Sequence, residues 1–236
     1  MLRPLTIAVA QPATVRYDVA VNADRHADIV VRAAARVVVF PELSLTGYVL
    51  DAEPIDAHDA RLEPIIDACR ATGTIALAGA PARGTGDVVH ISTLRIDSDG
   101  FTVAYNKMWL GGHEPATHTA GTEPCVTVVD GWRLGLAICK DTGVVEHARV
   151  TASLGIDAYV AGVCETEADR DVQPARAARV IEDHRVWVAV ASFAGPTGGG
   201  FDDTAGRSTV WRPDGSIAAT VDRHPGRIAR VTMSPT

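Results

Sequence analysis

Residues 134–163 read LGLAICKDTGVVEHARVTASLGIDAYVAGV. The stretch opens on an uncharged apolar run, 134–139, which Lys140, Asp141 and Gly143 then break. Val145–Leu154 returns to helical spacing, and 157–163 is apolar again. Strand, turn, helix and strand therefore follow one another within this single stretch. The two apolar runs do not alternate with polar residues, which is the pattern of strands covered on both faces.

The same grammar extends in both directions. Short runs rich in Val, Ile and Ala at 5–11, 36–40, 74–80, 88–96, 101–107, 186–193, 208–212, 217–221 and 227–233 predict further strands. Helical periodicity recurs at 18–35, 59–71 and 169–184. The first of these places Val19, Asn22, Ala23, His26, Ala27, Val30 and Ala34 near one face. Ser98–Gly100 (SDG) and Pro213–Gly215 (PDG) read as hairpin turns. Alternating strands and helices with hairpins inserted predict a layered α/β domain. No linker divides the chain, no internal repeat is visible, and the Gly-rich segment 195–206 reads as a loop inside the domain.

Composition narrows the function. Hydrophobic residues make up 47% and charged residues 22%, the balance of a soluble globular protein. The net charge is −7, with both signs scattered and no basic patch interleaved with aromatics, so nucleic acid is not expected as a partner. No segment has the uninterrupted apolar length of a membrane span, and the N-terminal run reads as a first strand, not a leader. Cys69, Cys125, Cys139 and Cys164 form no metal-ligand spacing, which predicts a cytoplasmic protein with reduced thiols. His113 and His118 (HEPATH) are five apart with Pro115 between them, so they would not share a helix face as zinc ligands do, and no metal is expected. GPTGGG lacks the Gly-Lys-Ser/Thr of a phosphate loop.

Three stretches put an ionisable residue just after an apolar strand, where α/β folds present side chains to ligands. FPELSLTGY places Glu42 among apolar residues, where burial would raise a carboxyl pKa. YNKMWL places Lys107 at a strand end. The chain has 22 Lys+Arg, and all of them are arginine except Lys107 and Lys140. Lysine is a compact ammonium suited to a small developing anion, whereas guanidinium is broad and planar. LGLAICKD places Cys139 at the third strand end, beside a cation that would lower a thiol pKa. Cys164, with acidic neighbours, ranks second as a nucleophile.

Together these motifs resemble the nitrilase superfamily of carbon–nitrogen hydrolases. FPELSLTGY is similar to the family's glutamate motif, YNKMWL to its lysine motif, and GLAICKD with the following EHARVTASLGIDAYV to its cysteine motif. GGHEPATHTAG supplies a second glutamate, Glu114, and the glycine that follows it, Gly121. IAVAQ, ARVIEDHRVWVAVASFAG and AGRSTVWRPDGSIAA extend the likeness, in order, across roughly residues 5–221. The resemblance implies a single-domain, four-layer α-β-β-α sandwich over 1–236 and assembly into a homodimer or larger homo-oligomer. It also implies catalysis by Glu42, Lys107 and Cys139, with Glu114 in support, and no cofactor.

On that basis the chain is expected to cleave a non-peptide C–N bond in a small aliphatic amide or ω-amide through a thioester. Nitrilase, carbamoyl hydrolase or acyl transferase activity at the same site, or non-catalytic metabolite binding, stand as alternatives. Tyr48, Trp109, Lys140 and Cys164 are the expected substrate-binding residues. Lys140 stands where members commonly carry an aromatic residue. It either pairs with an acid such as Asp141 or points into the pocket to bind a substrate carboxylate.

Overall fold

A computed structural model describes residues 2–235. The first half runs β1 (Leu5–Ala10), α1 (Val19–Ala33), β2 (Val37–Val39), α2 (Glu63–Thr72), β3 (Ile75–Arg83), β4 (Val89–Asp97) and β5 (Gly100–Asn106). The second runs β6 (Val126–Val129), β7 (Trp132–Ile138), α3 (Val145–Ala152), β8 (Ala158–Val163), α4 (Val172–His184), β9 (Trp187–Ser192), β10 (Thr209–Trp211) and β11 (Ile217–Thr220). A last strand, β12 (Ile228–Met233), returns to the first half.

Two six-stranded sheets result, ordered β12-β1-β2-β3-β4-β5 and β11-β10-β9-β8-β7-β6. In each, three strands joined through helices lie parallel: β1, β2 and β3 in one, β7, β8 and β9 in the other. Antiparallel strands flank each trio. The stretch 134–163 is thus the β7–α3–β8 crossover at the heart of the second sheet.

Strand alternation explains the layering. Leu5, Ile7 and Val9 of β1 and Leu134, Leu136 and Ile138 of β7 face the space between the sheets, where one large core forms. The opposite positions face helices. In the first sheet these are largely alanines, Ala8, Ala10, Ala76, Ala78 and Ala80, which let α1 and α2 sit close. On the second sheet Ala137, Tyr159, Ala161 and Val188 pack against the α3 and α4 side, with Ala148, Ala177 and Val180 from those helices. Helix, sheet, sheet and helix make the expected four layers, and the hairpins close at Asp97–Gly100 and Arg212–Ser216. The sequence reading missed β6, a four-residue edge strand whose short, half-exposed run gives little signal.

Candidate active site

Glu42 lies in the loop after β2, and α1 fixes that loop. Buried His26 donates through Nδ1–H to the Asn22 carbonyl (2.7 Å) and accepts at Nε2 from the Ser44 hydroxyl (2.8 Å), while Asn22 Nδ2 donates to the Leu45 carbonyl at 3.0 Å. The loop then threads between the sheets. A Cβ at Gly79 would meet the Pro41 oxygen at 2.3 Å, and one at Gly162 would meet the Phe40 oxygen at 2.5 Å. Only glycine allows β3 and β8 to approach this backbone so closely.

Lys107 follows β5, pinned by its N–H to the Ile91 carbonyl and by the Gly121 N–H on its own carbonyl, each 2.8 Å. Its ammonium donates to Glu42 Oε1 at 2.6 Å and to Glu114 Oε1 at 2.7 Å. All three residues are about 1% exposed. Glu114 opens the 3₁₀ turn Glu114–Ala116 and has a donor on each oxygen: Oε1 also accepts from the Tyr48 hydroxyl (2.6 Å), and Oε2 accepts from the Gly111 N–H (2.7 Å). Glu42 differs. Its Oε2 is buried and has no partner among the described residues. An idle buried carboxylate oxygen is costly unless something is meant to meet it.

Cys139 follows β7 and begins a 3₁₀ turn, Cys139–Gly143, with its own φ at +40°, a left-handed conformation unusual for a non-glycine residue. Asp141 ties the turn down. Its Oδ2 accepts from the Ile138 N–H (3.0 Å) and the Tyr105 hydroxyl (2.7 Å), and Oδ1 accepts from the Trp109 N–H (2.9 Å). The thiol lies 3.5 Å from the Cys164 carbonyl and 3.8 Å from Glu165 Oε1.

A cavity of about 380 Å³ opens beside these groups; Glu42 is not among its lining residues and connects to it through Lys107. Lys107, Glu114, Cys139, Cys164, Tyr48 and Lys140 all line it. Trp109 does not: its ring stands edge-on to His147, 5.5 Å between centroids. The expected pairing of Lys140 with Asp141 does not form, because backbone N–H groups and Tyr105 already occupy that carboxylate. Lys140 instead donates to the Leu110 carbonyl, with its side chain exposed at the cavity wall.

The electrostatics correct one expectation. Cations do not depress the Cys139 thiol; burial and then the Glu42 carboxylate push it well above its ordinary value, and Lys107 opposes them only in part. Burial raises Glu42 to about 7, against the pull of Lys107 and with a push from Glu114. Burial would lower Lys107, but Glu42, Cys139 and Glu114 outweigh it and hold its pKa up, so the ammonium stays charged.

Sequence reading missed Glu165, Arg176, Gly199 and Phe201, which also line the cavity. Arg176 donates to the Cys139 carbonyl (3.4 Å) and to Glu165 (3.1 Å). Nothing distinguished it from the other arginines of a helix. The glycine-rich segment carried a signal, its composition, but only as a loop. Among the described residues no group of three His, Cys, Asp or Glu side chains could hold a metal, and no helix is long and apolar enough to cross a membrane.

The solved structure of Saccharomyces cerevisiae Nit3, a member of branch 10 of the nitrilase superfamily, superposes with a TM-score of 0.87 at 21% identity, covering 99% of this chain and 91% of that one. Two stacked sheets flanked by helices are therefore the fold of the nitrilase superfamily. A hydrolase from the pqqF 5' region of Pseudomonas protegens is 29% identical over 235 residues, 92% of this chain and 79% of that one. An (R)-stereoselective amidase of Pseudomonas sp is 28% identical over 129 residues, 52% of this chain and 46% of that one. Residues 6–234 match the carbon–nitrogen hydrolase family. The chain belongs to that family and is a hydrolase of C–N bonds other than peptide bonds.

Proposed function

We propose that the chain is an amidase that cleaves a small aliphatic amide or ω-amide through a thioester on Cys139. The observation that carries this reading is the Lys107 ammonium, clamped by two buried carboxylates of which Glu42 alone keeps a free oxygen, beside the cavity that Cys139 lines. Likeness to an (R)-stereoselective amidase supports the amide class.

Glu42 takes the thiol proton as sulfur attacks the amide carbon. The oxyanion is stabilised by Lys107 and the backbone N–H of Lys140. As the tetrahedral intermediate collapses, the C–N bond breaks and Glu42 delivers its proton to the departing amine. Water, deprotonated by Glu42, then attacks the thioester; the C–S bond breaks, Glu42 returns that proton to the departing sulfur, and the acid leaves. Glu114 receives no proton; a donor on each of its oxygens supports a role in holding Lys107. A high thiol pKa fits this scheme, because the base acts within the transition state and no resting thiolate is required.

Intact-protein mass spectrometry with an amide library tests the reading. An acyl adduct that maps to Cys139 and is absent in Cys139→Ala is expected, with turnover in that variant down by at least about 10³-fold. Full turnover in Cys139→Ala would sink the assignment. The adduct mass also separates amide from nitrile, carbamoyl or acyl-transfer chemistry.

The exposed Lys140 ammonium, which has no acidic partner among the described residues, supports an anionic group on the substrate. Lys140→Met should raise KM for ω-amides bearing a carboxylate by about tenfold and leave neutral amides nearly unchanged; equal losses reject this. A reducing, cytoplasmic setting suits the four free cysteines. Assembly into a homodimer or larger is read from the family likeness, and light scattering tests it.

A further inference from the structure

Behind the site, four buried side chains from four different segments form a line of hydrogen bonds. The Tyr159 hydroxyl of β8 lies 2.7 Å from His147 Nδ1 on α3. His147 Nε2 lies 2.9 Å from the Tyr105 hydroxyl of β5, which lies 2.7 Å from Asp141 Oδ2. None of the four is more than 1% exposed. Only one arrangement of protons satisfies every contact when Asp141 is ionised and His147, whose pKa burial lowers to about 4, is neutral. Tyr105 must donate to Asp141, and its oxygen then accepts from the Met108 N–H and from His147 Nε2–H. That leaves His147 Nδ1 as an acceptor for the Tyr159 hydroxyl.

The far end of this line is the carboxylate that holds the Cys139 turn through the Ile138 N–H and the Lys107 segment through the Trp109 N–H. The first ends and the second follows strands of different sheets, β7 and β5. We infer that His147, backed by Tyr159, is a positioning residue: the one-way line Tyr159→His147→Tyr105→Asp141 sets the Cys139–Lys140 peptide against the Lys107 ammonium. The inference rests on the proposed roles of Cys139 and Lys107. His147 touches no reacting atom, so its effect falls on kcat and not on substrate binding.

The test compares His147→Gln, which keeps a donor near the Nε2 position, with His147→Met, which fills similar space and has none. Single-turnover acylation of Cys139, followed by intact mass, should slow by about ten- to fiftyfold in His147→Met with KM within about threefold of wild type. His147→Gln should recover most of that loss. Wild-type acylation in a folded His147→Met overturns the inference. Should that variant fail to fold, Tyr159→Phe serves: about a threefold or greater slowing is expected, and no change overturns the inference. Nitrogen NMR of the wild-type protein should find the His147 proton on Nε2; a proton on Nδ1 refutes the one-way line whatever the kinetics. Absence of any Cys139 adduct in wild type would instead overturn the thioester reading, and the tautomer result would still decide whether the line exists.

Discussion

At the scale of single residues, the proposed mechanism makes Glu42 the group whose state decides activity. With its pKa raised to about 7 by burial, it is half protonated near neutrality and ready both to take and to return a proton. Activity should therefore rise with pH through a midpoint near 7, as the carboxyl ionises, and Glu42→Gln should remove both the limb and nearly all turnover. A pH–kcat/KM profile checks this; an unchanged profile in Glu42→Gln would assign the limb to another group. Cys139 carries a second, conformational signature. Because its φ is +40°, Cys139→Gly should be about 1 kcal/mol more stable than Cys139→Ala, measured by urea denaturation. Equal stabilities would mean the left-handed conformation costs nothing. The catalytic candidates were legible because each sits in a local motif. Glu165 and Arg176 were not, since their place beside Cys139 depends on how β8 and α4 dock onto the turn.

Among the elements, the Glu42 loop shows what local reading leaves out. Its apolar flanks announce a buried carboxylate, but the two glycines that make room for it lie in other strands. Gly162→Ala would drive a methyl to 2.5 Å from the Phe40 oxygen, so the loop or β8 must move. Activity should fall by at least about tenfold, with stability lower by about 1–3 kcal/mol; a variant equal to wild type in both would show the loop to be compliant. Gln11 makes the same point. It closes the apolar IAVAQ run, yet it is fully buried, accepts from the Ser208 N–H at 2.6 Å, and donates to the Asp222 and His224 carbonyls. Periodicity identified its strand and said nothing of partners some 200 residues away.

For the whole molecule, each half repeats a trio of parallel strands joined through helices, although the sequence shows no repeat. The halves share a pattern of apolar runs and little else: the helix-facing positions are mostly alanine in one sheet and include Tyr159 and Val188 in the other. Two pairs of buried groups also titrate in opposite senses. Burial raises Glu42 to about 7 and Asp141 to about 6, so their contribution to stability is present at low pH and is lost as pH rises through those values. Burial lowers His26 and His147 to about 4, so their contribution is full above about 6.5 and is lost as pH falls toward 4. Between about 4.5 and 6 the two pairs nearly cancel. Glu42→Gln removes one opposing group, so over that window its unfolding free energy should climb with pH by about 1 kcal/mol per unit relative to wild type. Parallel stability curves would refute the balance.

The pairing of β1 with β12 runs from Leu5 opposite Met233 to Ala10 opposite Ile228. During synthesis the first strand leaves the ribosome long before its neighbour on that side is made. The first sheet can be completed only after some two hundred further residues have emerged, whereas β7, α3 and β8 can associate as soon as they are free. Glu42 and Lys107 thus emerge with β2 to β5, ahead of β7 and Cys139, and only the outer edge of their sheet waits for β12. In a nascent chain Cys139 and the Glu42–Lys107 pair come together only when the second sheet is laid on the first.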